Sequence, residues 1–391
     1  MRGLLVVAAL AIAGDARADD HPAAAPADYI SDAKLFYRVV ACGGTEALPA
    51  SLDKDVADKH CEEMTKRYQH FSEKYVTPAQ AFFATVRPAT LPATVVYPFG
   101  GGDLASALVT YPDARDITTI SLEHSGDPTR LAAMDKPHLK AALGLYRDAV
   151  AGLLSLNDST SENMRKLEHG GIPGQLSFHI TGMTALGFEP VSLKFFTLDD
   201  GGGVHYLTKP EIDALATKTA KKVKGGWVDT DFSEAFNNME LSFRKAGDAK
   251  APTIVHRHIA ANLADKAFKG SPLEKYLVAK GKVAAMTKAA SYLMWDSGFS
   301  AIRDYLTTNM VWMASDATGL PPRVARKGGF VQVTYGSFSG PFLEDANKDV
   351  GEDMVKLWSS QPHRRLAFRY GYPDSQQGVH LMITKPAEPK P

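Results

Sequence analysis

Sulfur is scarce in this chain and charge is evenly split. Among 391 residues there are two cysteines, and 44 basic side chains stand against 44 acidic ones. Without a positive surplus there is no field to draw in phosphate backbones, which argues against nucleic acid as a partner. The local basic runs, Lys218 to Lys224 and Arg323 to Lys327, read as solvated faces. Two cysteines without C-x-x-C spacing leave no zinc-thiolate framework. No apolar run reaches the roughly 20 residues that a bilayer span requires. No G-x-x-x-x-G-K-S/T loop is present, so the commonest phosphate-transfer machinery is missing. The nearest approach to a G-x-S-x-G elbow, Gly336-Ser-Phe-Ser-Gly340, has Phe338 at its centre, which argues against a serine hydrolase of that class.

What is there begins with a leader. Met1 to Ala18 carries a positive start at Arg2, an apolar run from Leu4 to Ala13, and Ala16-Arg17-Ala18 as a small-x-small cleavage signal. No cysteine follows the cleavage point, so lipid attachment has no acceptor. The expectation is a soluble mature protein, periplasmic or secreted, with no integral membrane segment once the leader is removed. In an exported chain an even cysteine count reads as a disulfide, here Cys42 to Cys61, with two free thiols the alternative. Closing a loop of about 20 residues would contribute on the order of 3 kcal/mol. The organisation that follows is a signal peptide over 1–18, a helical cap with the disulfide over 19–90, a mixed α/β domain over 91–385 and a flexible tail over 386–391.

The most informative stretch is Thr94 to Glu123. Val95, Val96, Tyr97 and Phe99 form a short apolar run suited to a strand covered on both faces. Gly100, Gly101 and Gly102 permit a sharp reversal, and Asp103 offers a carboxylate to the free N–H groups of a helix starting at Leu104. Pro112 and Asp113 end that helix, Ile117 to Leu122 is the next strand, and Glu123 closes it. Gly100-x-Gly102-x-x-Ala105 with Glu123 downstream fits the dinucleotide fingerprint or the equivalent turn of methyltransferase-like domains. Any tight strand-to-helix turn also needs glycines and a cap. Nicotinamide, S-adenosylmethionine and ATP are cytosolic, so an exported domain of this kind is expected to have kept the fold and lost the cofactor.

Around this unit the pattern is α/β: a Rossmann-like mixed sheet flanked by helices, with an N-terminal helical hairpin as cap and an antiparallel C-terminal hairpin. The cap comprises a helix from Ser31 to about Val40 and another from about Leu52 to Tyr75, stapled by the disulfide. Pro137 to Leu154 and Pro173 to Leu186 are helical. Val191 to Leu198, Val204 to Thr208, Asn238 to Arg244 and Thr253 to Ile259 read as strands, as do Val311 to Ser315 and Phe330 to Tyr335. Ala284 to Leu293 and Phe299 to Asn309 are apolar and helix-capable, the first able to open as a strand. Val350 to Trp358 is helical, and Leu366 to Tyr370 is expected to pair with Val379 to Ile383.

The best metal candidate is His256-x-His258. Strand alternation puts both imidazoles on one face, with His205 or His179 as a third ligand and Asp199, Asp200 or Glu123 as a base for zinc-assisted hydrolysis. The plainer reading makes them polar residues on a solvent face opposite Val255, Arg257 and Ile259. Asp296 and Asp316 form a carboxylate pair only if the fold joins them. Trp295, Trp312, Tyr335 and Phe338 read as core.

Tyr97-Pro-Phe-Gly-Gly-Gly-Asp103, Leu122-Glu123 with Gly126, Lys288-Ala-Ala-Ser-Tyr-Leu-Met294 with Phe299 and Ile302-Arg303, and Tyr370-Gly-Tyr372 resemble an exported bacterial family of unassigned function. The resemblance runs from about Tyr97 to the end and implies export without assigning catalytic residues. Two expectations stand. The first is an accessory envelope protein without catalysis or cofactor, binding a small molecule or envelope component in a cleft at Gly100, Gly101, Gly102, Asp103 and Glu123. The second is an exported hydrolase with zinc on His256, His258 and His205.

Overall fold

A computed structural model describes residues 24–155, 164, 167, 171–216, 233–372 and 374–387. The leader, the basic run Lys218 to Lys224 and the last residues of the tail lie outside the described residues.

The architecture grows from the glycine unit. Val95 and Val96 are wholly buried, as a strand covered on both faces must be, and β1 (Thr94–Pro98) lies inside the sheet. It pairs in parallel with β2 (Asp116–Ser121) on one side and with β7 (Val283–Thr287) on the other. β2 in turn takes β6 (Ile254–Ala260), and β7 takes β8 (Met310–Ser315), completing a parallel centre. Antiparallel strands extend both sides. β3 (Phe188–Leu198), β4 (Val204–Tyr206) and β5 (Asn238–Lys245) continue beyond β6, while β9 (Phe330–Gly336) and β10 (His380–Pro386) continue beyond β8. The order is β4-β3-β5-β6-β2-β1-β7-β8-β10-β9.

Helices cover both faces, so two cores form. One face carries the helical cap together with the helices Leu104–Thr110, Lys136–Ser155 and Gly174–Ala185, packed on Val95, Ile117, Met286 and Trp312. The other carries Pro272–Ala279, Ser300–Asn309, Pro322–Lys327 and Lys348–Ser359 over Val96, Ile120, Ala285 and Met313. In the cap, Ile30–Leu35 continues as a wider turn over Phe36–Val40, and Lys54–Phe71 likewise over Ser72–Val76. The first helix begins at Ile30, and its N-cap residue Tyr29 makes no side-chain cap. Asp28, one residue before it, meets the first helical amide instead, its Oδ1 accepting from Ile30 N at 3.0 Å and from Leu193 N of β3 at 3.1 Å. The Cys42–Cys61 disulfide joins the two halves with Cα atoms 5.4 Å apart.

Two segments differ from expectation. Val283–Thr287 is a strand, because all five residues are buried between neighbours on both faces and that burial overrides the helix propensity of alanine and methionine. Leu366 to Tyr370 joins no strand of the sheet; its alternate residues Leu366, Phe368 and Tyr370 are buried in the cap-side core. The antiparallel C-terminal pair is therefore β10 with β9, and β10 runs to Pro386. The outer edge of β9 is met instead by the residues just before that segment: Gly336 N donates to Arg364 O at 2.7 Å and Thr334 N to Gln361 Oε1 at 3.2 Å.

Candidate functional site

From β1 the chain moves first to β2 on one side and only later to β7 on the other, so the carboxyl ends of β1 and β7 mark the point where the winding reverses. In open α/β sheets ligands bind in the crevice at such a point.

The turn there is tight for a local reason. Phe99 and Gly101 adopt φ of +60° and +49°, and Gly100 N donates to Ile120 O at 3.0 Å, tying the turn to β2. At Gly102 an added Cβ would lie 2.7 Å from the Phe178 ring, and at Gly182 one would lie 3.1 Å from Ala105 N. Glycine thus lets Gly174–Ala185 lie against the turn and its helix. Glu123 follows the end of β2; its side chain is half-buried and its carbonyl accepts from His258 Nε2 at 2.8 Å.

Asp103 faces the β7 side. Its Oδ1 accepts from Ser106 N at 3.2 Å, the cap expected of it, while Oδ2 accepts from Lys288 Nζ at 2.7 Å and Tyr97 OH at 3.2 Å. Lys288 also donates to Ser106 Oγ at 2.8 Å and lies 5.4 and 5.8 Å from the ring centroids of Tyr75 and Tyr370, so its charge is met by a carboxylate, a hydroxyl and two π faces. Asp103 and Lys288 are 8% and 7% exposed. Burial, with the nearby Asp103 carboxylate adding to it, pushes the Tyr97 phenol well above its usual range and keeps it a donor.

Beyond Lys288 the backbone is strained. Ala289, Ser291 and Tyr292 have φ of +50°, +48° and +58°, a region costly for side chains with a Cβ. Three consecutive amides are held by side chains: Ala289 N by Asp316 Oδ2 at 2.8 Å, Ala290 N by Thr318 Oγ1 at 3.1 Å and Ser291 N by Tyr372 OH at 2.8 Å. Asp316 Oδ1 accepts from Thr318 N at 2.9 Å, and Gly371 passes so close that an added Cβ would lie 2.1 Å from Asp316 Oδ2. Ala289 and Ser291 reach the surface, Ser291 beside half-buried Tyr372. Asp296 is elsewhere, capping Gly298 N at 2.6 Å, so it forms no pair with Asp316. Trp295, Trp312 and Phe338 are buried in the cores.

Family models, curated proteins and solved structures were compared with the chain, and none matches. Among the described residues no helix is long and apolar enough to cross a membrane.

A second polar cluster lies on the same face of the sheet. His256 and His258 point inward from β6, and His179 of Gly174–Ala185 meets them with ring centroids 4.4 and 5.4 Å away. All three are 0% exposed. Thr119 of β2 stands between the β6 pair, its Oγ1 2.9 Å from His256 Nε2 and 3.2 Å from His258 Nδ1. His205 is not with them: on β4 its Nε2 is 2.8 Å from Glu211 Oε1 at the surface. Asp199 folds back to accept from Gly201 N and Gly203 N, both at 2.8 Å, and Asp200 is exposed in the same turn. No group of three or more His, Cys, Asp or Glu side chains among the described residues is arranged to hold a metal ion. Burial is the main reason that His258 titrates down at about 4, and that His179 and His256 titrate well below the usual imidazole range.

Sequence reasoning passed over Lys288 as a site residue. The available signal was a single charge in the otherwise apolar run from Val283 to Met294, interrupted only by Thr287 and Ser291.

Proposed function

We propose that this is an exported envelope protein that binds a small polar molecule or envelope component, without turning it over, at the carboxyl ends of β1 and β7. One observation carries the reading: four non-glycine residues in the left-handed region, Phe99, Ala289, Ser291 and Tyr292, flank the point where the sheet reverses its winding. Each costs on the order of 1–3 kcal/mol, and such strain persists where surrounding bonds over-determine it, typically at ligand clamps. The charged groups below are engaged with one another, Lys288 with Asp103 and Asp316 with the loop amides, so they set the shape of the loop instead of supplying a base or nucleophile. Export is supported by the leader pattern and by a disulfide, which persists in oxidising compartments.

Native mass spectrometry of full-length protein recovered from the envelope fraction tests this reading. The expected result is a co-purifying small molecule that is lost in Ser291→Trp, a variant placing bulk at the exposed loop while leaving Lys288 and Asp103 in place. Wild-type spectra without any adduct, together with unchanged NMR spectra on addition of the small-molecule extract of the same envelope fraction, would overturn it. Elemental analysis of protein purified without chelator addresses the zinc hydrolase separately: that reading requires stoichiometric zinc that is lost in His256→Ala/His258→Ala.

A further inference from the structure

We infer that the imidazoles of His179, His256 and His258 form an acid-operated latch, holding Gly174–Ala185 on the sheet while they are neutral and releasing it when the cluster takes up protons.

The hydrogen bonds dictate the tautomers. The Glu123 carbonyl can only accept, so His258 Nε2 carries a proton and His258 Nδ1 is bare. The Thr119 hydroxyl therefore donates its one proton to His258 Nδ1, and His256 Nε2 must donate to Thr119. His256 Nδ1 is left bare, and among the described residues neither nitrogen of His179 has a hydrogen-bond partner. Each added proton creates a buried donor without an acceptor. On His256 it sits at Nδ1; on His258 it either leaves the Thr119 hydroxyl without an acceptor or shifts His256 to its Nδ1–H tautomer, with that donor unmet.

The surroundings offer little counter-charge. From the end of β2, Glu123 is half-buried at the rim and favours a charged His258, while His124 beside it opposes one. Gly174–Ala185 presents Gln175, whose Nε2 donates to Ser121 Oγ at 2.9 Å. β5 places Leu241 and Met239 in register with His256 and His258. Arg257 points to the opposite face, where it pairs with Glu240 at 2.6 Å, and it also disfavours charge on His256. With rings 4.4 Å apart, a second imidazolium would meet a like charge at contact range.

The sign follows from the depressed folded values. Between pH 6.5 and about 4 the open form binds more protons than the closed form, so the closed form is fully favoured above pH 6.5 and loses ground as pH falls through that window. His258 alone lowers the closed-to-open ratio about 30-fold between pH 7.5 and pH 5. Because Phe178 and Gly182 of this helix press on Gly102 and Ala105, opening also unseats the turn that carries Asp103.

Hydrogen exchange by mass spectrometry on the full chain, corrected for intrinsic rates, tests the latch. Opening of 174–185 is expected to rise about 30-fold or more from pH 7.5 to pH 5, while Lys348–Ser359 on the other face stays protected. In His179→Phe the rise should shrink several-fold. If that variant fails to fold, His258→Gln serves, since its amide can donate to Glu123 O and accept from Thr119. Equal acid sensitivity in wild type and a folded variant would overturn the latch, as would unchanged protection at pH 5. Imidazole nitrogen shifts at pH 7.5 must show Nε2–H on both His256 and His258; Nδ1–H on His258 would also sink it.

Discussion

Two buried polar clusters share one face of the sheet and solve the same problem in opposite ways. At the ends of β1 and β7, Lys288 and Asp103 form an ion pair, with the Ser106 hydroxyl and the faces of Tyr75 and Tyr370 beside the ammonium. Between β2 and β6, three imidazoles are neutral, and several of their nitrogens have no partner. A charged pair tolerates burial only with good geometry, and it then becomes intolerant of losing either member. A neutral cluster tolerates loose geometry and becomes intolerant of protons instead.

The largest expected effect comes from breaking the charged pair. Lys288→Met leaves the Asp103 carboxylate buried with only Tyr97 and the Ser106 amide, and should lower unfolding free energy by about 3–5 kcal/mol in urea at pH 7. Adding Asp103→Asn removes the stranded charge while an amide oxygen still caps Ser106 N, so the double variant should regain most of the loss. A single-variant loss below about 1 kcal/mol would mean that water already reaches Lys288, and the contrast between the two clusters would dissolve.

The neutral cluster should break more gently. Thr119→Val keeps shape and removes the oxygen that joins His256 to His258, leaving one donor and one acceptor unmet; about 1–3 kcal/mol is expected by the same urea measurement. The stability of the variant should fall less steeply with acid than that of wild type, because the imidazoles are freed from a fixed tautomer. A loss exceeding that of Lys288→Met would reverse the ranking of charge over neutral polarity.

How much of this was legible depended on range along the chain. The glycine turn, the Asp103 cap and both strands of the first unit are local, and spacing alone places them. That His256 and His258 share a face followed from alternation. Which face turned inward did not, because Arg257 lies opposite and its own partial burial is made tolerable by Glu240, met only across the sheet. Lys288 meets Asp103 across 185 residues, and His256 meets Thr119 across 137, contacts chosen by strand order and invisible to any window. Gly102 makes no use of its freedom of φ, which is not left-handed; its value lies in letting Phe178 approach.

The smallest effect concerns a histidine outside both clusters. His205 touches Glu211 at 2.8 Å, yet their side chains are 53% and 41% exposed, so water screens the pair. The Glu211 carboxyl is held down at about 2 first by the backbone N–H of Thr208, then by His205 and the Thr208 hydroxyl, as it reaches back over the start of its helix. Removing the imidazole leaves that cap intact. His205→Ala should therefore change unfolding free energy by less than about 1 kcal/mol, and leave the hydrogen exchange of 174–185 unaltered at pH 5. A loss above about 2 kcal/mol, beyond what a screened surface pair supplies, would show that burial is not what separates the histidines of this protein, and the division drawn between the clusters would need another cause.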